Sequence, residues 1–107
     1  MMYLCAASEV PEGACKGFNL QGEQMFVVHK QGQFYLYRNS CPHLGIALEW
    51  LPDQFLDVGR EHVQCAMHGA LFRINDGFCI SGPCFGDSLQ ALSLHQQDGK
   101  LYYLPED

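Results

Sequence analysis

Three times in this chain, two short β-prone runs stand on either side of a glycine-containing turn. Residues 26–29 (FVVH) and 34–37 (FYLY) flank Lys30-Gln31-Gly32-Gln33. Residues 71–74 (LFRI) and 78–80 (FCI) flank Asn75-Asp76-Gly77, and residues 92–95 (LSLH) and 100–104 (KLYYL) flank the segment 96–99. Aromatic and β-branched side chains suit a pleated surface, and glycine reverses the chain cheaply, so each block reads as an antiparallel hairpin. Residues 3–6 and 17–20 add shorter candidate strands on either side of Pro11-Glu12-Gly13. Only residues 46–56 leave room for a short helical turn, and Pro52 limits it. Many short strands with Gly and Pro turns predict an all-β fold, a small antiparallel sandwich or barrel.

The 107 residues suit one domain spanning 1–107, with no linker and no low-complexity stretch. A core of this size is modest, so anything that cross-links the chain helps it. Charged residues make up 17% of the sequence and the net charge is −6. That balance excludes a nucleic-acid surface, which needs a basic stripe against phosphates, and suits a partner with a basic patch. The opening MMYLCAASEV lacks a basic flank and is too short for a secretory core. No later stretch approaches the roughly eighteen apolar residues of a membrane span. The expected compartment is the cytoplasm, and the expected state is a monomer. In the cytoplasm six cysteines read as metal ligands or free thiols rather than disulfides.

Two loops carry the chemistry. Cys41-Pro42-His43-Leu44-Gly45 and Cys65-Ala66-Met67-His68-Gly69 each bring a cysteine and a histidine together and close on glycine. Thiolate and imidazole are good ligands for late transition metals. One such pair is weak evidence; two in one short chain are strong. Gly45 and Gly69 allow positive φ and a tight fold over a ligand, and Pro42 stiffens the first loop. The 21 residues from 44 to 64 are enough to leave one loop, cross the domain and return. A tetrahedral structural zinc would use the same donors, although zinc sites usually pair cysteines at C-x-x-C.

These motifs resemble those of the Rieske-type [2Fe–2S] family, whose signature is C-x-H, a spacer, then C-x-x-H. A third loop with Gly-Pro covers the cluster in that family, and Ser81-Gly82-Pro83 sits where it should. The likeness extends over nearly the whole chain, with the cluster-binding subdomain at about 40–85. It implies one [2Fe–2S] cluster, with Cys41 and Cys65 on one iron and His43 and His68 on the other. Two thiolates in place of four leave the oxidised cluster neutral, so an electron adds more easily. The spacer is longer than in the shortest Rieske ferredoxins, with the surplus around residues 46–61. Rieske proteins of cytochrome bc complexes place a disulfide where this chain has Ile46 and Met67. They also use Ser and Tyr hydroxyls where it has Ala70 and Phe72. Hydrogen bonds to cluster sulfur stabilise the more negative reduced state, so their absence implies a low, bacterial-ferredoxin-like potential.

The resemblance implies a non-catalytic one-electron carrier between a flavin reductase and a terminal oxygenase. Two alternatives stay open: a small subunit of a larger oxidoreductase, similar to nitrite reductase small subunits, and a zinc-stabilised interaction module. The chain has no room for a second, mononuclear iron domain. Cys5, Cys15, Cys79 and Cys84 read as small apolar residues or free thiols, and His29, His62 and His95 as surface or satisfied core residues. Trp50 and Phe55 read as local core, with docking as their alternative. The expected exit for electrons is the tip of the three loops, at Leu44, Gly45, Met67, Gly69, Gly82 and Pro83.

Overall fold

The computed structural model describes residues 1–40, 55–65 and 69–105. Among these it is built from strands: β1 (Met2–Ala6), β2 (Cys15–Leu20), β3 (Glu23–Lys30), β4 (Gln33–Arg38), β5 (His62–Gln64), β6 (Leu71–Arg73), β7 (Cys79–Ser81), β8 (Ser93–Gln97) and β9 (Lys100–Leu104). They form three antiparallel three-stranded sheets, ordered β1-β9-β8, β2-β3-β4 and β5-β6-β7. The three expected hairpins are present as β3-β4, β6-β7 and β8-β9. A fourth, β2-β3, was not expected.

Three of the hairpins share one turn chemistry. Gln21-Gly22, Gln31-Gly32 and Asp98-Gly99 all have positive φ at both positions, from 52° to 82°. That is the two-residue turn whose twist matches the flanking strands, and glycine at its second position is what permits it. The turns are tighter than the sequence suggests, so Lys30, Gln33, Gln96 and Gln97 belong to strands. Glu12 clasps the β3-β4 turn from outside, its carboxylate accepting from the Gln31 and Gly32 N–H groups at 2.6 and 2.9 Å. Those Gly32 and Gln31 bonds hold its carboxyl below the usual range.

The β2-β3-β4 sheet is the middle layer. Along β3, Met25 and Val27 join one buried cluster with Leu4, Val10, Leu36 and Leu101, beside the β1-β9-β8 sheet. Phe26 and Val28 face the other way and join Phe55, Val63, Phe72 and Cys79 beside the β5-β6-β7 sheet. All four β3 residues are fully buried. A strand covered on both faces needs a continuous apolar run, which explains why this one lacks alternation. The middle and first sheets are also stitched at an edge. Tyr37 bridges Ala91, and the Leu92 N–H donates to the Leu36 carbonyl at 2.9 Å.

Phe55 settles as core. It is fully buried and its ring stacks on Phe26 at 4.3 Å and 6°. Burying a side chain of this size stabilises by about 2–3 kcal/mol. The helical turn expected within 46–56 lies almost wholly outside the described residues, as does Trp50; Leu56 is extended and bridges Val63. A short 3-10 turn not expected from the sequence, Ala7–Glu9, follows β1, and the Glu9 carboxylate accepts from the Ala6 N–H at 2.9 Å.

Candidate metal centre

A turn just before β5 folds that strand back on residues 55–57. Asp57 accepts hydrogen bonds from the Glu61 and His62 N–H groups at 3.0 and 3.1 Å, and its second oxygen meets His62 Nδ1 at 3.1 Å. Burial works to raise the Asp57 carboxyl, but the His62 and Glu61 contacts outweigh it and hold the group below its usual range. β5 then runs directly into Cys65.

Cys65 is fully buried. Its N–H donates to the Ala70 carbonyl at 2.9 Å, and its own carbonyl accepts from the Gly69 N–H at 2.8 Å. The chain therefore doubles back between 65 and 70 through a neck closed by two hydrogen bonds. Gly69 completes the return with φ +69°, as its place at the end of the motif predicts.

The Gly-Pro loop lies against this neck. In the β6-β7 ladder Leu71 is paired with Ser81, so Gly82 arrives beside Ala70. A Cβ on Gly82 would stand 2.8 Å from the Ala70 Cα, closer than side chains tolerate. Behind the tip, the Phe85 N–H donates to the Gly82 carbonyl at 3.2 Å and the Asp87 N–H to the Cys84 carbonyl at 2.9 Å. Cys79 and Cys84 are buried beneath, and the Cys79 thiol donates to the Ser81 carbonyl at 3.3 Å. Ser81, Gly82 and Pro83 are exposed.

The structure thus brings together Cys65, Gly69, Ala70 and Gly82, with Phe72 buried in the same core as Cys65. Cys41, His43 and His68, with Leu44, Gly45 and Met67, lie outside the described residues. Among the described residues no three His, Cys, Asp or Glu side chains gather as a metal site. The remaining histidines are engaged elsewhere. His29 donates from Nδ1 to the Val10 carbonyl at 2.8 Å and stacks on Phe34, His62 meets Asp57, and His95 meets Gln97. Cys5, Cys79 and Cys84 are core residues and Cys15 is half-buried; none is in a disulfide. What the sequence did not single out is Phe85, a large apolar ring 70% exposed on the Gly-Pro loop. Its one signal was an aromatic residue set between turn-formers.

The setting of Cys65 suits a thiolate that would hold an iron–sulfur group. A buried cysteine at a narrow, glycine-turned neck can present a thiolate away from water, and a glycine on the covering loop lets backbone approach without a side chain. The Rieske [2Fe–2S] domain family model matches residues 1–100.

This chain belongs to the Rieske [2Fe–2S] domain family. The group such a domain holds is one [2Fe–2S] cluster. The chain is 31% identical over 104 residues to ferredoxin CarAc of Metapseudomonas resinovorans, with 96% of this chain and 92% of that one covered. It is 35% identical over 95 residues to the cytochrome b6-f complex iron-sulfur subunit of Chlorobaculum thiosulfatiphilum, covering 89% of this chain. The chain spans under half the length of the cytochrome b6-f subunits it matches, 45% and 48% in the two cases. Among solved structures, a complex of reduced oxygenase and oxidized ferredoxin in carbazole 1,9a-dioxygenase contains a chain that superposes with a TM-score of 0.78. That chain is 26% identical, with 95% of this chain and 90% of that one covered. Among the described residues, no helix of this Rieske domain is long and apolar enough to cross a membrane.

Proposed function

We propose that this Rieske domain is a ferredoxin: a monomeric, cytoplasmic, non-catalytic carrier of one electron from a flavin reductase to a terminal oxygenase. Cys41, His43, Cys65 and His68 hold the cluster, and residues 1–107 act as one domain. The observation that carries the reading is the contact of Gly82 with Ala70, which lays the Gly-Pro loop along the neck of the loop that bears Cys65 and His68.

The bound cluster supplies a reversible one-electron step. The protein's part is to hold it and to limit access. Two thiolates neutralise its charge, and two imidazoles leave it easier to reduce than four thiolates would. Cys65 is fully buried and would present its thiolate away from water, while Ser81, Gly82 and Pro83 on the adjoining loop are exposed. The net charge of −6 steers a basic partner from a distance.

The cytochrome b6-f relatives raise a second reading, a subunit of a membrane-bound complex. Ile46 and Met67 occupy the positions where the related bc-complex proteins pair two cysteines, and Ala70 and Phe72 replace the hydroxyls. Those four residues favour the ferredoxin.

The test is metal and sulfide analysis with an EPR spectrum of the purified protein. A red-brown protein with two irons and two acid-labile sulfides is expected. Colourless protein with stoichiometric zinc would sink this reading. The carrier role is then checked by reconstituted turnover with a flavin reductase and a Rieske oxygenase, which should stop when this protein is omitted.

A further inference from the structure

Phe85 is 70% exposed, although an isolated ring of this size usually finds cover. It is held there. The Phe85 N–H donates to the Gly82 carbonyl at 3.2 Å, the Gly86 N–H to the Cys79 carbonyl at 3.4 Å, and the Cys79 N–H to the Asp87 carbonyl at 2.8 Å. Cys84, the residue before it, is buried and anchors the backbone.

The ring is also supported from below. Its neighbour is Phe78, edge to face at 6.4 Å and 68°. The Arg73 guanidinium lies 5.1 Å over the Phe78 ring, and Asp76 fixes that guanidinium with a two-pronged pair. Asp76–Arg73–Phe78–Phe85 is a continuous ladder ending in an exposed apolar face. The backbone that carries the ring is already fixed, so covering it costs only side-chain freedom, which favours an aromatic anchor in an interface.

Its surroundings indicate what would cover it. Phe85 stands two residues beyond Pro83, on the loop whose Gly82 abuts Ala70. Residues 81–90 carry one acidic side chain, Asp87, which is exposed, and no basic one. The whole chain is at −6. A partner complementary to this patch has an apolar hollow with a basic rim.

We propose that Phe85 is the apolar anchor by which a basic-rimmed redox protein docks on the Gly-Pro loop. The inference rests on the electron-carrier reading above and deepens it. Phe85 fills the partner's hollow and expels water from the exposed tip at Gly82 and Pro83, while Asp87 meets the rim. Affinity comes from the ring and the encounter rate from the charge.

The test uses mitochondrial cytochrome c as the basic-rimmed protein acceptor and ferricyanide as the small one. Both oxidise the reduced holoprotein in a stopped-flow instrument. Phe85→Ala and Phe85→Gln are each expected to lower the cytochrome c rate about tenfold at low salt, the size of effect expected for a docking anchor. The ferricyanide rate and the visible spectrum should not change. Tyr3→Ala, which removes another exposed ring, should leave both rates at the wild-type value. A cytochrome c rate within a factor of about two of wild type in both variants overturns the proposal. So does loss of the cluster in both, since Phe85 would then be a structural residue. A wild-type protein that takes up no electron reversibly fails at an earlier point, because it removes the carrier reading itself and the anchor with it.

Discussion

Gly82 and Ala70 touch backbone to backbone: a Cβ at position 82 would stand 2.8 Å from the Ala70 Cα. The Gly82 backbone has φ +102°, where L side chains are strained even in open space. Gly82→Ala therefore meets two obstacles at once. It should destabilise the protein by about 2 kcal/mol or more, read from the denaturant midpoint. The visible absorption should bleach faster in air, because the covering loop is pushed off the neck at Cys65. An unchanged midpoint would mean that the two loops separate at no cost.

Tyr37 ties the middle sheet to the third. Its hydroxyl donates to the Ile74 carbonyl in the β6-β7 turn, and the ring is buried. Tyr37→Phe strands a buried carbonyl and should cost about 1–3 kcal/mol at neutral pH. Burial first, and the Asp76 charge next, push the Tyr37 phenol well above its usual value. The unfolded chain loses that proton above about pH 10 while the folded one keeps it. The bond's stabilisation is thus complete below about pH 10 and fades as pH rises. Thermal unfolding across that range should show a steeper alkaline loss in the wild type than in Tyr37→Phe.

Asp57 behaves in the opposite sense. Its carboxyl is held low by the His62 and Glu61 contacts, so the unfolded chain takes up a proton at a higher pH than the folded one. The stabilisation is present above the usual aspartate range, about pH 4, and is lost as pH falls through it. Asp57→Ala should lower stability at neutral pH by about 1–2 kcal/mol and flatten the acid limb of the stability profile. Because this turn leads β5 to Cys65, cluster content after acid exposure should fall with it.

The ligand assignment is tested by contrast among like residues. Cys65→Ser, His43→Ala and His68→Ala should each lose the visible spectrum and much of the fold's stability, since metal binding and folding are coupled. Cys79→Ala and Cys84→Ala remove core thiols and should cost about 1 kcal/mol while the spectrum persists. His29→Ala and His95→Ala should leave it unchanged as well. A surface histidine that bleaches the protein as thoroughly as His43 would overturn the assignment.

Phe72 sets the expected potential. It is fully buried in the same core as Cys65 and carries no hydroxyl to donate to sulfur. Voltammetry should place the couple toward the bottom of the Rieske range, about −150 mV on a scale reaching about +300 mV. Phe72→Tyr should raise it, provided the ring keeps its position. A wild-type value near the top of the scale would mean another donor has replaced the hydroxyl.

Pattern alone located three hairpins because their apolar runs and glycine turns are local signals. The strand at 17–20 was legible, but its pairing with β3 was not, because Lys16, Gly17 and Asn19 give β2 no alternating pattern and β3 begins at Glu23, ahead of its apolar run. β5 is only three residues long with one buried side chain, Val63, too little for any period to register. The Cys and His spacings pointed to the family, since ligand chemistry is written in residue types. The anchoring of its loops was not legible. Gly82 reads as part of the covering loop, but its close approach to Ala70 is invisible in the sequence, and so is the exposure of Phe85. Both depend on contacts between segments, which no window of sequence contains.

The pairing of β1 with β9 sets Met2 opposite Tyr103. The first and last strands of the described chain are thus neighbours in one sheet, on the far side of the middle layer from the Cys65 neck. A short peptide joining them, with a new opening cut at the exposed Gln31-Gly32 turn, would yield a circularly permuted protein with every strand pairing retained. The same adjacency makes the domain a plug-in unit: spliced into a surface loop of another protein, it would enter and leave through a single doorway, leaving the electron-bearing end free to face outward.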